Sequence, residues 1–341
     1  MENKRKKRLL WQLPFLAVLI IGSVLIVKRN HDMPYQVNSG FVFGTTYRIS
    51  YQYDEDLNDE IVREMGKVDK ALSTFNKQSI ISQVNQGQDI TVNDMFESVF
   101  NMAEEISDET DGSFDITVAP LVNAWGFGFK NGKMPDKATV DSLKAITGYK
   151  KVKMVNSRVV KDDPRIMLDC SAIAKGYGSD VVAAFLQRKG ITNFMVEIGG
   201  EIVTRGINSS KKPWRIGVTK PVDDSLSTNE EIQTILNITD KAMATSGNYR
   251  NFYYKGGKKY AHTIDPKTGY PVQHNILSST VIANDCATAD AYATAFMVMG
   301  LDKAKKLLAR HPELMAYFIC ANDDGTHSVW YSPELKSKIT P

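Results

Sequence analysis

Residues 284–300 form an Ala-rich run, N-D-C-A-T-A-D-A-Y-A-T-A-F-M-V-M-G, which constrains the fold more than any other part of the chain. Its small side chains allow other backbone to approach from nearly every side, so the run predicts a buried helix. Asp285 stands at the N-cap position, and Gly300 stands where a helix would stop. We therefore expect the domain to be organised around this helix.

Asp290 and Thr294 are four residues apart, so on a helix they lie on the same face, one turn from each other. A carboxylate buried among Ala, Phe and Met is costly unless it is paired or bound to a cation. A carboxylate and a hydroxyl one turn apart form a hard-oxygen half-site of the kind that Mg²⁺ accepts. The spacing also permits a structural arrangement, in which Asp290 bonds to nearby backbone and Thr294 bonds to the carbonyl of Asp290.

The N-terminal region contains an apolar run of membrane length over residues 9–27. Five basic residues precede it at positions 4–8, and two follow at positions 28 and 29. This asymmetry predicts a cytoplasmic N-terminus over residues 1–8, a transmembrane signal-anchor over 9–27 and a linker over 28–36. No small-x-small cleavage pattern follows the run, so an uncleaved anchor is favoured over a removed signal peptide.

Composition excludes several classes of protein. With 341 residues, a net charge of +3 and 24% charged residues, the chain is neither disordered nor typical of a nucleic-acid binder. The three cysteines, Cys170, Cys286 and Cys320, include no C-x-x-C pair, which argues against a zinc knuckle or a disulfide framework. We expect them to be buried free thiols.

Hydrophobic periodicity predicts alternating helices and strands along the rest of the chain. Strands are predicted over 35–53 and 193–202, with 214–218 and 232–239 continuing the same sheet, and a strand pair is predicted over 152–166 around Asn156-Ser157. Helices are predicted over 57–75, 95–110 and 138–147. The segment 112–129, G-S-F-D-I-T-V-A-P-L-V-N-A-W-G-F-G-F, is unusually rich in aromatic residues and Gly. It is either a core-lining loop, with Trp125 and Phe127 as packing, or a wall against which a flat ring stacks.

Residues 167–190 predict a strand, then a turn of Ser, Ala and Gly that contains Lys175, and then a helix over 177–189. Backbone N–H groups and the helix dipole receive phosphate in such an arrangement. The glycines match neither a Walker loop nor a G-x-G-x-x-G. Lys175 is accordingly either a phosphate contact or a solvated side chain.

Two further turns are candidates for ligand contact. Gly199 and Gly200 end a predicted strand, and a Gly pair permits the close backbone approach that a ligand needs. Residues 244–252 predict a polar turn between strands, and the strand that begins at 260 ends in a D-P-K-T-G turn. His262 lies beside this turn, and it is the only His in a polar, Gly-rich setting.

Five separated segments occur in the order typical of one family: G-T-T-Y at 44–47, F-D-I-T-V-A-P-L-V-N-A-W-G-F-G at 114–128, L-D-C-S-A-I-A-K-G-Y at 168–177, E-I-G-G-E-I at 197–202 and H-T-I-D-P-K-T-G at 262–269. The sequence A-T-A-D-A-Y-A-T-A at 287–295 completes the set. Over about residues 37–330 the chain resembles the ApbE family, the FAD:protein FMN transferases. The resemblance implies an α/β (mixed α+β) fold, with a mixed sheet and helices in a single compact catalytic domain over 37–335 behind the anchor.

The resemblance also implies an activity. An enzyme of this family splits the pyrophosphate of FAD with Mg²⁺, attaches FMN through a phosphoester to a Thr or Ser of a target flavoprotein, and releases AMP. The expected acceptors are flavoproteins of membrane redox complexes that present the hydroxyl on an extended segment. The expected location is the bacterial cytoplasmic (inner) membrane, with the catalytic domain on the periplasmic side.

The family's site residues correspond to named positions of this chain. The metal ligands correspond to Asp290, Thr294 and the carbonyl of Ala172, and His262 is the candidate for assisting proton removal from the acceptor hydroxyl. The positions that hold FAD correspond to Phe43, Phe75, Ala124, Trp125, Gly126, Asp169, Lys175 and Thr263. Phe43 and Phe75 stand where the family often has Met and Tyr, and Cys170 stands where Leu is usual, which preserves stacking but removes a hydroxyl at position 75.

Two other functions compete with flavin transfer. An FAD pyrophosphatase would use water in place of the acceptor hydroxyl and yield free FMN and AMP. A non-catalytic extracytoplasmic protein would only bind the flavin. Retention of His262, Asp290 and Thr294 favours catalysis over binding alone.

Overall fold

The computed structural model describes residues 14–23, 33–128, 134–222, 231–249 and 252–340. Helix α1 covers residues 14–23, and its apolar side chains, such as Phe15 and Val18, are exposed. The remainder of the segment expected to be the anchor, residues 9–13 and 24–27, lies outside the described residues, as do residues 1–8 and most of the linker. No described helix combines the length and apolar character that crossing a membrane requires.

The remaining helices and the strands follow in chain order. The helices are α2 (Asn58–Leu72), α3 (Ile80–Asn85), α4 (Asp94–Glu109), α5 (Ala119–Ala124), α6 (Lys137–Ala145), α7 (Ala174–Arg188), α8 (Cys286–Met299) and α9 (Leu301–Leu308). The strands are β1 (Tyr35–Val42), β2 (Thr45–Gln52), β3 (Val152–Val155), β4 (Arg158–Lys161), β5 (Phe194–Ile198), β6 (Glu201–Arg205), β7 (Trp214–Thr219), β8 (Ile232–Ile238), β9 (Lys241–Gly247), β10 (Phe252–Lys255), β11 (Lys258–Ala261), β12 (Ile276–Ala283), β13 (Met315–Ala321), β14 (His327–Tyr331) and β15 (Ile339–Thr340).

An eight-stranded sheet in the order β1-β2-β5-β6-β9-β12-β13-β14 forms the centre of the domain. The predicted combination of helices and strands is confirmed. The expectation of a mixed sheet is wrong, because every pair of neighbouring strands in this sheet is antiparallel. Tight turns join β1 to β2 and β5 to β6, and a tight turn can connect only antiparallel neighbours.

Strands β7 and β8 were expected to continue the main sheet. They instead pair with each other and with β15 in a separate three-stranded sheet. Trp214, Ile216 and Leu236 of this sheet share one apolar cluster with Met243 and Tyr317 of the main sheet. Buried and exposed residues alternate along β7, so its buried face packs against the main sheet instead of joining its edge.

Helix α8 confirms the predicted buried helix at the centre of the chain. The side chain of Asp285 caps it by accepting a hydrogen bond of 2.8 Å from the Thr288 N–H, and Gly300 ends it with φ of +77°. Five alanines of α8 are completely buried: Ala287, Ala289, Ala291, Ala293 and Ala295. Such small side chains let α7 approach closely, and a Cβ at Gly176 would lie 2.3 Å from the carbonyl oxygen of Cys286.

Two other segments differ from the sequence expectations. The strand predicted for the first residues of 167–190 is absent, because the backbone of Leu168 bonds to the side chain of Asn85 instead of a neighbouring strand, at 2.7 Å and 2.8 Å. The first four residues of the turn predicted over 244–252 belong to a strand instead, since β9 continues to Gly247 opposite Ser278. The three cysteines are buried and free, as predicted.

Candidate functional site

A cavity of about 1260 Å³ lies beside the Gly199-Gly200 turn, between the end of the main sheet, the start of α7 and one face of α8. Helix α7 begins at Ala174, three residues earlier than predicted, so Lys175 lies in its first turn. The cavity wall brings together eight of the residues implicated by the family resemblance: Phe75, Asp169, Ala172, Lys175, His262, Thr263, Asp290 and Thr294.

Three charged side chains from distant parts of the sequence meet in this wall. The ammonium of Lys175 lies 3.1 Å from Glu201 Oε1 and 3.6 Å from Asp290 Oδ2. The N–H of Gly176 donates to the same Asp290 oxygen at 3.1 Å. Glu201 and Asp290 are each only 3% exposed, so both carboxylates are removed from bulk water.

The electrostatics of this cluster favour an additional cation. Burial alone would lower the pKa of Lys175, but the Asp290 and Glu201 carboxylates outweigh it and raise that pKa, so the ammonium stays charged. Burial raises the pKa of the Glu201 carboxyl to about 8, although Lys175 opposes this shift. The cluster therefore resists carrying two buried negative charges beside one ammonium, and a bound cation would relieve that cost.

The donor set around Asp290 fits a hard cation such as Mg²⁺. Asp290 supplies a carboxylate, Thr294 Oγ1 lies 2.9 Å from Ser246 Oγ, and Ala172 lines the same cavity. Within the described ranges, no group of three or more His, Cys, Asp or Glu side chains is arranged as a metal site. A cation here would therefore depend on hydroxyl, carbonyl and substrate phosphate oxygens in addition to Asp290.

His262 directly follows β11, is half-buried and lines the cavity. The ring of Phe127 meets it edge-on, with 6.4 Å between the ring centroids. The next residue, Thr263, is buried and donates a 2.8 Å hydrogen bond to Asn248 Oδ1. The turn that follows is closed by the Gly269 N–H, which donates to the carbonyl of Asp265 at 2.8 Å. His262 is thus held on a fixed backbone at the cavity surface.

Asp169 and Phe75 lie at different depths of the cavity wall. Asp169 Oδ1 accepts a 2.8 Å bond from the Ser171 N–H, and the Asp169 N–H donates to the carbonyl of Ile116 at 2.7 Å. These hydrogen bonds fix the turn that contains Ala172 and leads into α7. Phe75 is 75% exposed and lines the mouth of the cavity.

Four of the implicated residues do not line the cavity: Phe43, Ala124, Trp125 and Gly126. Phe43 packs against Gly178, where a Cβ would lie 2.7 Å from the ring. Trp125 is buried, stacks on Tyr260 with 5.8 Å between centroids, and donates its indole N–H to the carbonyl of Gly269 at 2.8 Å. Trp125 therefore follows the packing alternative, whereas Phe127 lines the cavity.

Three further residues contact the implicated ones, although no sequence motif predicted a role for them: Glu201, Ser246 and Asn248. Each is a polar residue next to Gly at a strand end, within E-I-G-G-E-I or A-T-S-G-N. A polar residue adjacent to such a permissive turn was the signal that could have identified them.

The comparisons with known proteins agree with one another. A sequence model of the ApbE family matches residues 43–318. The FAD:protein FMN transferase of Vibrio cholerae is 38% identical over 320 residues, covering 90% of this chain and 94% of the relative. The FAD:protein FMN transferase of Escherichia coli K12 is 33% identical over 323 residues, covering 91% and 90%.

The solved structures extend this agreement to the fold. The structure of the flavin transferase ApbE from Vibrio cholerae superposes with a TM-score of 0.80 at 37% identity, covering 89% of this chain and 99% of that chain. The match therefore extends over most of this chain and nearly all of that structure. On both sequence and fold, the chain belongs to the ApbE family.

Proposed function

We propose that this protein is an FAD:protein FMN transferase, which moves FMN from FAD to a Thr or Ser hydroxyl of an acceptor flavoprotein and releases AMP. The observation that carries the proposal is the shared cavity, which places His262, Lys175 and Asp290 around one space of about 1260 Å³. This volume is large enough for a dinucleotide-sized ligand. The relatives compared above are named FAD:protein FMN transferases.

Phosphoryl transfer requires mainly positioning and charge neutralisation from the protein. Lys175 and the N-terminal turn of α7 would bind the diphosphate of FAD. His262 would accept the proton of the acceptor hydroxyl as its oxygen forms a bond to the FMN phosphorus. The bond from that phosphorus to the AMP oxygen breaks in the same displacement, and AMP leaves with the electron pair.

We also propose that the reaction depends on Mg²⁺. Asp290 and Thr294 would hold the ion with the carbonyl of Ala172. Bound Mg²⁺ supplies charge neutralisation for the diphosphate and for the departing AMP. The donor set around Asp290 and the two carboxyl groups that share the single Lys175 ammonium support this assignment.

The direct test is to incubate the protein with FAD, Mg²⁺ and a candidate acceptor and to measure the acceptor's intact mass. An FMN-mass adduct on a Thr or Ser, with stoichiometric AMP, is the expected result. Release of FMN and AMP at the same rate without acceptor would indicate a pyrophosphatase. Unchanged FAD that remains bound would indicate a flavin-binding protein.

The role of His262 is tested by His262→Ala. Transfer should fall by about 10²–10⁴-fold, while FAD binding stays near that of the wild type, because the base acts only as the hydroxyl loses its proton. His327→Ala is the matched control, since His327 is exposed on strand β14. An unchanged transfer rate in folded His262→Ala would exclude the catalytic role.

The N-terminal segment is proposed to be a signal-anchor that places the domain on the extracytoplasmic side of the cytoplasmic membrane. The basic residues before the apolar run and the exposed apolar side chains of α1 support this proposal. The full chain should remain in the membrane fraction, and a protein beginning at Asp32 should be soluble and active. Loss of FAD binding in the truncated protein would contradict the proposal.

A further inference from the structure

The cluster of Lys175, Glu201 and Asp290 has one more acidic than basic group. The ammonium lies 3.1 Å from Glu201 and 3.6 Å from Asp290, and the two carboxylate side chains are each only 4% exposed. Within the described part of the chain, neither carboxylate forms an ion pair with any other Lys or Arg. Two buried carboxylates beside one ammonium are costly unless one of them is protonated or a further cation is present.

The Lys175 ammonium already forms an ion pair with Asp290, the carboxylate that is proposed to bind the metal. Mg²⁺ would bind an oxygen of the Asp290 carboxylate, and the Lys175 ammonium lies 3.6 Å from Oδ2 of the same group. Two cations that share one carboxylate repel each other, so Lys175 and Mg²⁺ compete for Asp290.

Glu201 offers the ammonium a second partner. It is the nearer of the two carboxylates to Lys175, and it begins β6 directly after the Gly199-Gly200 turn. Its other oxygen, Oε2, is buried and has no hydrogen-bond partner among the described residues. Glu201 can therefore hold the ammonium through one oxygen or both.

We propose that Lys175 is the counter-ion of Asp290 in the metal-free protein, and that Glu201 is a positioning residue that retains the ammonium when a metal takes Asp290. The inference rests on the proposed function only in treating Asp290 as a metal ligand. Because Glu201 retains the ammonium inside the cavity, Lys175 and the metal together face the phosphates of the substrate.

The test is a calorimetric titration of Mg²⁺ alone into the protein without FAD, repeated as the shift in thermal unfolding that Mg²⁺ produces. Lys175→Met should lower the Mg²⁺ dissociation constant about tenfold, because the competing ammonium is gone. Glu201→Gln should raise the constant about tenfold, because the ammonium then pairs with Asp290 alone.

The double variant Lys175→Met with Glu201→Gln completes the cycle. The double variant has the same formal charge as the wild-type cluster. It can therefore replace Lys175→Met in the test if the single variant does not fold. The Glu201→Gln change should have little effect on Mg²⁺ binding in this background, since Glu201 acts through Lys175. The double variant should bind Mg²⁺ at least as tightly as the wild type.

A matched ion pair at the other end of α7 provides the control. Lys189 and Glu60 are also 3.1 Å apart but lie outside the cavity, so Lys189→Met and Glu60→Gln should leave Mg²⁺ binding unchanged. Weaker Mg²⁺ binding by Lys175→Met would overturn the inference. So would an equal effect of Glu201→Gln in both backgrounds, which would make Glu201 a direct ligand. Absence of Mg²⁺ binding in every variant would also overturn it, whereas flavin transfer is judged separately by the mass of the acceptor.

Discussion

Substitution of Gly176 by Ala tests whether the close contact between α7 and α8 builds the site. A Cβ at this position would lie 2.3 Å from the carbonyl oxygen of Cys286 and 2.9 Å from the Cα of Ala287. Both atoms belong to backbone, so no side-chain rotation can relieve the overlap. Because ordinary contacts begin near 3.4 Å, the two helices must separate by about 1 Å.

Three effects determine the expected change in stability. Overpacking of this kind costs about 1–3 kcal/mol, and the helix propensity of Ala returns about 1 kcal/mol. The N–H of Gly176 also donates to the Asp290 carboxylate at 3.1 Å, and weakening a hydrogen bond to a charged group costs about 1.5 kcal/mol or more. We expect Gly176→Ala to lose about 2 kcal/mol of unfolding free energy, with weaker Mg²⁺ binding and slower FMN transfer.

The assay is urea unfolding followed by a titration of Mg²⁺ into the folded variant. Gly66→Ala in α2 is the matched control, because no atom lies within 4 Å of the added Cβ. This substitution should stabilise the protein by about 0.5–1 kcal/mol without changing Mg²⁺ binding. If Gly176→Ala were as stable as the wild type and bound Mg²⁺ equally well, the reasoning from helix contact to site geometry would be refuted.

Asp290→Ala should abolish Mg²⁺-dependent transfer, whereas Asp290→Asn should retain the fold; wild-type transfer by folded Asp290→Ala would contradict the metal assignment. Asp180→Ala should cost about 1–2 kcal/mol in urea unfolding, because the Asp180 carboxylate accepts hydrogen bonds from the first N–H groups of α8, at Cys286 and Ala287. Burial, with nearby acidic groups, raises the pKa of the Glu104 carboxyl from 4.5 to about 7. The folded state therefore binds this proton more tightly than the unfolded state, and the free energy of unfolding falls as the pH rises from 4.5 to 7. Glu104→Gln removes this loss, and its stability advantage in urea should therefore grow between pH 4.5 and pH 7; a constant difference would contradict the assignment.

Local sequence was sufficient where burial and helix termini are encoded by neighbouring residues. The Ala-rich run predicts α8 because small side chains recur on every face, and Asp285 and Gly300 specify its ends. The same holds for the β3-β4 hairpin, where Asn156 and Ser157 adopt φ of +51° and +55°. Each of these outcomes depends on backbone conformations within a few residues.

The sequence did not reveal which elements would pair. The strand expected at the start of 167–190 does not form because the backbone of Leu168 bonds to Asn85, a residue 83 positions away. Strands β7 and β8 had the right periodicity, but periodicity reports only which face is buried. Whether such a strand joins the main sheet or packs on one of its faces depends on the strands with which it pairs.

The sequence by itself determined the family motifs, the capped helix α8 and the residue types of the cavity. Only the tertiary structure decided that Lys175 would lie between Glu201 and Asp290. It also decided that Trp125 would be buried against Tyr260, whereas Phe127 lines the cavity. The physical reason is distance along the chain. Gly176 and Asp290 are 114 positions apart, and their hydrogen bond exists only because α7 and α8 pack in contact. Charge pairing and ring orientation follow from such contacts, which no local pattern records.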